Sequence, residues 1–342
     1  MKTKLFLALG ALAFLYACSN EEPAKATLNM KAADQDNELA ILQAQALDGL
    51  KQKFVFDSSQ EYVELRTKGG ARLEIFPQNL TVKGQPVSGS VVVEFIEIYN
   101  RGDMATANKT TSGLANGQEQ NPEQPALNPL ISGGEFFINM TTEEGQNIDE
   151  GAGYTLAVPT EQTGGADEEM TVWTGEEDWE EGDNDGGDGD GDVKWDEDQN
   201  DDGSDKDAPV EQDEYILNLD EFGWVNIDKL AEFPQEKTTI YVDVPDGFDD
   251  NNSKIYIAFQ GQQNMLVQLN TYNAATGYFG ENYNLMPIGV QCHIIFVSGQ
   301  GGNWLYAVKT ITITPNGVET ISSSDITVAT QSSVINMLNN LP

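Results

Sequence analysis

Histidine, cysteine and basic residues are scarce in this chain, and each scarcity excludes a class of function. Lysine and arginine together number 18 against 56 acidic residues, a formal net charge of −38 over 342 residues. No basic stripe can be drawn to neutralise phosphates, so nucleic acid is excluded as a partner, and charge by itself would repel anionic lipid. Histidine occurs once, as His293. Histidine-built zinc centres are therefore excluded, and any Ser-His or Cys-His mechanism has a single candidate base. The cysteines are Cys18 and Cys292. One thiol in the body of the chain cannot form an internal disulfide, so stability must come from packed cores. Cys292 in GVQCHIIFVSG reads as a small buried hydrophobe, with His293 on the opposite side of the same strand. There is no GxSxG, no HExxH and no phosphate-cradling loop. The chain reads as non-catalytic; a pair of carboxylates leaves no local pattern, so a hydrolase of that kind stays open as an alternative.

Long apolar runs are also missing, except at the start. Lys2 and Lys4 precede an apolar stretch from Leu5 to Ala17. As a helix it would rise about 20 Å, short of a hydrocarbon core of about 30 Å, and it reads as a cleaved export signal over residues 1–17. Leu15-Tyr16-Ala17-Cys18 resembles the lipobox of bacterial lipoproteins. The resemblance implies acylation of Cys18, and several acyl chains anchor stably where one would be marginal. Ser19, Asn20, Glu21 and Glu22 follow; acidic residues here resemble the surface-export signal of Bacteroidota lipoproteins. The implied location is the outer membrane, lipid-anchored, at the cell surface.

What remains is patterned for an all-β fold. Residues 18–52 read as a tether with a short helix, on the partial periodicity of Leu39, Ile41, Leu42, Ala46, Leu47 and Leu50. Short β-prone runs begin at Phe54: FVFD, YVELRT, ARLEIF and SGSVVVEFIEIYN, with Lys68-Gly69-Gly70 as a hairpin turn. A polar loop from Asn100 to about Pro129 follows, then GGEFFINMTT, YTLAVP and MTVWTG. Residues 176–207 carry seventeen acids against Lys194 and Lys206, with dense glycine. Such a stretch reads as an acidic disordered linker, placed over 176–212. EYILNL, FGWVNI, TTIYVDV, KIYIAFQ, NMLVQLN, QCHIIFVSG and WLYAVKTITIT then suggest a second sandwich over 213–315. Residues 316–342 read as a tail ending in a short helix, with Ser324 and Asp325 as caps and Val328, Val334, Ile335 and Leu338 along one side.

GARLEIFPQNL, GQPVSGSVVVEFIEIYNRGDM and LISGGEFFINMTTEEGQNI look like the ZU5-like β-sandwich module of Bacteroidota surface lipoproteins, covering residues 53–175. FGWVNIDKL, VPDGFDDNNSKIYIAF and MPIGVQCHIIFVS resemble the Ig-like module that follows it in those proteins. The resemblance implies two β-sandwich domains but little mechanism. Arg101-Gly102-Asp103 is an Arg-Gly-Asp tripeptide too short to read as an adhesion motif.

Two stretches could carry ligands. Asp198, Asn200, Asp202 and Gly203 match the first positions of a calcium loop, where alternate oxygens and a glycine wrap one hard cation. The bidentate glutamate is missing, although Asp205 could substitute, so a solvated spacer with loose affinity for divalent cations is favoured over a calcium site. Tyr272, Tyr278, Phe279 and Tyr283 lie among glycines and asparagines, as a sugar-stacking platform requires. A hairpin completing its core with those aromatics is the more ordinary explanation. Trp173, Trp224 and Trp304 read as core. Trp179 and Trp195, within the acidic stretch, read either as contact residues or as anchors onto a domain. The sequence thus points to a lipid-anchored binding or scaffolding protein with an outer-membrane or glycan partner. A glycan-binding accessory lipoprotein is the first alternative, and a carboxylate hydrolase the second.

Overall fold

The computed structural model describes residues 38–114, 127–177, 192–200, 202–281 and 284–342. The fold is all-β as expected, with three short α-helices among the described residues. Gln52–Asp57, Ser90–Ile98, Asn128–Thr142, Gly223–Leu230, Thr171–Glu177, Val193–Glu197 and Ser112–Leu114 form a seven-stranded sheet in that order. A five-stranded sheet lies against it, ordered Val210–Glu211, Glu214–Leu219, Tyr154–Pro159, Arg72–Ile75 and Val63–Arg66. The alternation of each strand fills the space between the two. Val91, Val93, Phe95, Phe136, Ile138 and Met140 from one sheet meet Leu73, Ile75, Leu156, Val158 and Leu217 from the other.

The domain boundary falls later than the sequence suggests. Glu214–Leu219 pairs with Tyr154–Pro159, and Gly223–Leu230 lies between Asn128–Thr142 and Thr171–Glu177. Both therefore belong to the first sandwich. Alternation specifies that a strand has a buried face but not which sheet receives it. The acidic stretch is corrected on the same grounds. Val193–Glu197 pairs along Thr171–Glu177, residues 198–200 and 202–206 turn back as a hairpin, and Trp195 is fully buried. Trp195 is thus an anchor, and its indole supplies the apolar area that its acidic neighbours lack. Trp179 lies outside the described residues.

Ser112–Leu114 closes the seven-stranded sheet on itself. It pairs parallel with Val193–Glu197 on one side and antiparallel with the start of Asn128–Thr142 on the other. Five of the seven strands thereby form a ring. Closure needs a strand without bulk: a Cβ on Gly113 would come within 2.8 Å of both Leu130 Cδ1 and Trp173 Cζ3.

The second sandwich packs Val267–Gln268, Ser253–Phe259, Gln291–Gln300, Asn303–Thr312 and Thr327–Ala329 against a four-stranded sheet. Its core includes Ile255, Ile257, Ile294, Phe296, Leu305, Val242 and Phe279. Cys292 lies in this core, and burial pushes its thiol up to about 12. His293 faces the other way, with Nδ1 2.9 Å from Thr310 Oγ1.

A third apolar cluster joins the two sandwiches. Ile96, Ile98, Trp173, Trp195 and Trp224 from the first meet Tyr256, Ala258, Ile295, Val297 and Trp304 from the second. Helices α1 (Glu38–Leu50), α2 (Arg101–Ala107) and α3 (Gln331–Asn339) contribute Leu39, Leu42, Ala46, Met104, Ala105, Val334 and Leu338. The polar loop expected from residue 100 is, in its first half, interior: residues 104–113 are all buried. The Arg-Gly-Asp tripeptide opens α2 and serves packing. Arg101 is fully buried and donates to the carbonyls of Leu338 and Leu341 and to Gln263 Oε1. Gly102 lets α3 approach, since a Cβ there would lie 2.8 Å from Ile335 O. Asn100 caps α2 by accepting from Asp103 N–H at 3.0 Å. Thr330 caps α3, in place of Ser324 and Asp325; Asp325 instead accepts hydrogen bonds from Ser322 in a separate turn.

Candidate ligand-binding face

The four-stranded sheet of the second sandwich runs Thr271–Asn273, Tyr278–Gly280, Tyr241–Asp243, Val318–Thr320. Its register alternates cleanly. The row Tyr272, Phe279, Val242 and Glu319 has Phe279 and Val242 in the core. The flanking rows, Thr271-Gly280-Tyr241-Val318 and Asn273-Tyr278-Asp243-Thr320, therefore face outward. Gly280 sits in the middle of this outer face, and a Cβ on it would lie 3.0 Å from Tyr241 Cδ1. The Tyr241 ring thus lies along the glycine. Tyr278 stands two residues away on the same face. The result is a trough of about 1050 Å³ lined by Tyr241, Tyr278, Thr271, Asn273, Thr276 and Asn316. Two half-buried rings beside amides and hydroxyls can stack on an apolar ring face while hydrogen-bonding its edge.

This arrangement amends the sequence-derived platform. Phe279 is 2% exposed and belongs to the core. Tyr272 leans on it, with ring centroids 5.0 Å apart and planes inclined by 53°, so the two do not present one flat surface. Tyr283 lies outside the described residues. Of the three described aromatics only Tyr278 sits on an outward-facing row, and its companion there is Tyr241. The signal for Tyr241 was available: in TTIYVDV the alternation places Tyr241 and Asp243 opposite Val242.

The calcium-like residues form a hairpin turn. Asp198 Oδ1 accepts from Thr174 Oγ1 at 2.8 Å, and its Oδ2 lies 3.2 Å from Lys206 Nζ. Asp202 Oδ1 accepts from the Ser204 N–H and hydroxyl, bonds that hold its carboxyl below the usual range. Asn200 donates its amide to the Asp205 carbonyl at 3.0 Å. Asp198 and Asp202 are thus turned toward neighbours within or beside the turn and not toward one centre. A Gly at position 6 marks a sharp turn in either structure, and Gly203 here has φ +81°. Among the described residues no three His, Cys, Asp or Glu side chains gather as a metal cluster.

A smaller cleft of about 410 Å³ adjoins this hairpin, lined among others by Glu176, Asp198, Asp220, Glu221 and Lys206. It is the concave place where a carboxylate hydrolase would be sought; Asp198 in it is already ion-paired to Lys206. No helix among the described residues is long and apolar enough to cross a membrane. Cys18 lies outside the described residues. The sequence matches no known family model and no curated protein.

Proposed function

We propose that this chain is a lipid-anchored, non-catalytic binding protein displayed at the outer-membrane surface, and that the outer face of the four-stranded sheet takes a saccharide. The observation that carries the reading is the pairing of Tyr241, laid along Gly280, with Tyr278 on one solvent-facing trough. A pyranose offers an apolar C–H face to such rings, and Asn273, Thr271 and Asn316 supply donors and acceptors for its hydroxyls. The lipobox-like segment ending at Cys18, with the acidic residues behind it, supports the location. The resemblance to ZU5-like and Ig-like modules of Bacteroidota surface lipoproteins supports the company it keeps.

Two measurements test this. On a glycan array, the purified protein is expected to bind a restricted set of saccharides, and Tyr278→Ala to weaken binding about tenfold or more, the worth of one stacked ring. An unchanged Tyr278→Ala variant, or no saccharide bound, would remove the reading and direct the search to a protein partner recovered from solubilised membranes. For the anchor, Cys18→Ala is expected to abolish labelling by radioactive palmitate and to shift the protein from the membrane to the soluble fraction. Labelling that survives the substitution refutes lipidation at Cys18.

A further inference from the structure

The spacing of the rings in the trough of the second sandwich, and the sign of the charge around them, narrow what it takes. Gly280 pairs with Thr271 on one side and Tyr241 on the other, so the middle of that outward row has no side chain of its own. The Tyr241 ring fills the place: its Cδ1 is 3.0 Å from where a Cβ on Gly280 would stand, and Thr271 Oγ1 is 3.4 Å from the same point. Tyr278 holds the outward position two residues back along the same strand. An antiparallel strand rises about 3.4 Å per residue, so the two ring positions lie about 7 Å apart along it. One pyranose ring cannot stack on both; two successive sugar units can. The amides stand at opposite ends of this line. Asn273 belongs to the Tyr278 row, and Asn316 comes two residues before Val318, beyond the Tyr241 row. Asn273 Oδ1 accepts from the Ala275 and Thr276 N–H groups, which leaves Nδ2 to donate to a ligand.

The charge around the trough has one sign. Glu281 is its sole charged lining residue among those described, and no lysine or arginine lines it. Asp243 stands on the outer face, paired with Tyr278 in the register. Burial, and then the Asp249 and Asp250 carboxylates, raise the Tyr272 phenol above its usual pKa, so the negative field reaches the trough wall. Lys309 approaches the Val318–Thr320 strand but is ion-paired at 2.8 Å with Glu319 of the inner row. A uronate, sulfate or phosphate seated here would meet like charge and no cation. Sugar hydroxyls both donate and accept, and so match the Thr271 hydroxyl and the two amides.

We propose that the trough takes an uncharged oligosaccharide of at least two units, laid along the Tyr278–Gly280 strand with one unit on Tyr278 and the next on Tyr241. The inference rests on the saccharide reading and adds length and charge to it. Asn273 and Asn316 bond hydroxyls at the two ends, while Asp243 and Glu281 turn acidic glycans away.

The test uses the full chain on an array of matched pairs, each a neutral glycan beside its uronated, sulfated or sialylated counterpart, at low ionic strength, where charge is least screened. Neutral members are expected to bind about tenfold more tightly than acidic ones. By calorimetry, the hexasaccharide of the best neutral glycan is expected to bind about tenfold more tightly than its monosaccharide. Tyr241→Ala and Tyr278→Ala should each bring the hexasaccharide down toward the monosaccharide. Asp243→Asn should narrow the neutral-over-acidic preference about threefold. No glycan bound anywhere on the array removes the saccharide reading and this inference with it. Acidic members bound as well as or better than neutral ones overturn the proposal while the saccharide reading stands. A monosaccharide as tight as the hexasaccharide does the same. The wild-type protein alone decides each of these outcomes, so none depends on a variant that folds.

Discussion

Trp195→Ala is expected to destabilise the chain by about 3–5 kcal/mol, the range for truncating a fully buried large aromatic. The indole is 0% exposed. Its Nε1–H donates to Thr110 O at 2.9 Å, and its ring meets Trp224 edge-on with centroids 6.2 Å apart. Gly175 is shaped to receive it, since a Cβ there would lie 2.7 Å from Trp195 Cζ3 and 2.3 Å from Val193 Cγ1. Alanine would leave a cavity inside the ring and orphan the Thr110 carbonyl. The surrounding strands are tied to one another on both sides and have little freedom to collapse into the space. Urea unfolding followed by circular dichroism measures the loss. A loss below about 1 kcal/mol would show that the acidic strand is ornamental to the fold and that Trp195 does not anchor it.

Arg101→Met should produce the second large effect, about 3 kcal/mol or more, concentrated at the C-terminal helix. The guanidinium has no carboxylate partner among the described residues; burial lowers its pKa, and carbonyl oxygens with one side-chain amide take its protons. Methionine fills much of the volume but removes the charged donors from the Leu338 and Leu341 carbonyls, leaving them the Leu341 N–H and Gln263 Nε2, and strips Gln263 Oε1 of the Arg101 hydrogen bond. Limited proteolysis is expected to cut near residues 331–342 in the variant and to spare them in the wild type. Arg101→Lys should not restore protection, because one ammonium cannot span the separated acceptors that the planar fork reaches. Equal protease resistance in all three proteins would mean that α3 is held by Val334 and Leu338 alone.

The sequence made the strands legible and left their partners illegible. Alternation marks EYILNL and FGWVNI as half-buried strands, yet nothing local says that they complete the first sandwich. Pairing with Tyr154–Pro159 and Asn128–Thr142 is a long-range choice decided by register and packing. The acidic stretch misleads for a related reason. Composition weighs seventeen acids equally, whereas folding depends on where Val193 and Trp195 fall, on one face of a strand whose other residues point to solvent. At the candidate ligand-binding face, the aromatic cluster was visible but its geometry was not. Period-two reasoning sends Phe279 inward and Tyr278 outward once the strand is placed, and Tyr241 arrives from a segment some forty residues away. The full burial of Glu135 gave no signal, because a glutamate after Gly133-Gly134 looks like a strand's solvent side until the ring closes over it.

Ring closure also bears on how copies of this protein tolerate crowding on a membrane. A flat seven-stranded sheet would offer two unpaired rims, each a template on which a neighbouring chain could add a strand. Ser112–Leu114, bonded on both sides, removes one of them. The other is Gln52–Asp57, where Lys51, Lys53 and Asp57 place charge along the open backbone and Val55, at 61% exposed, is the one large apolar side chain left uncovered there. Resistance to intermolecular β-pairing in that sheet thus falls to a single guarded strand, immediately after α1.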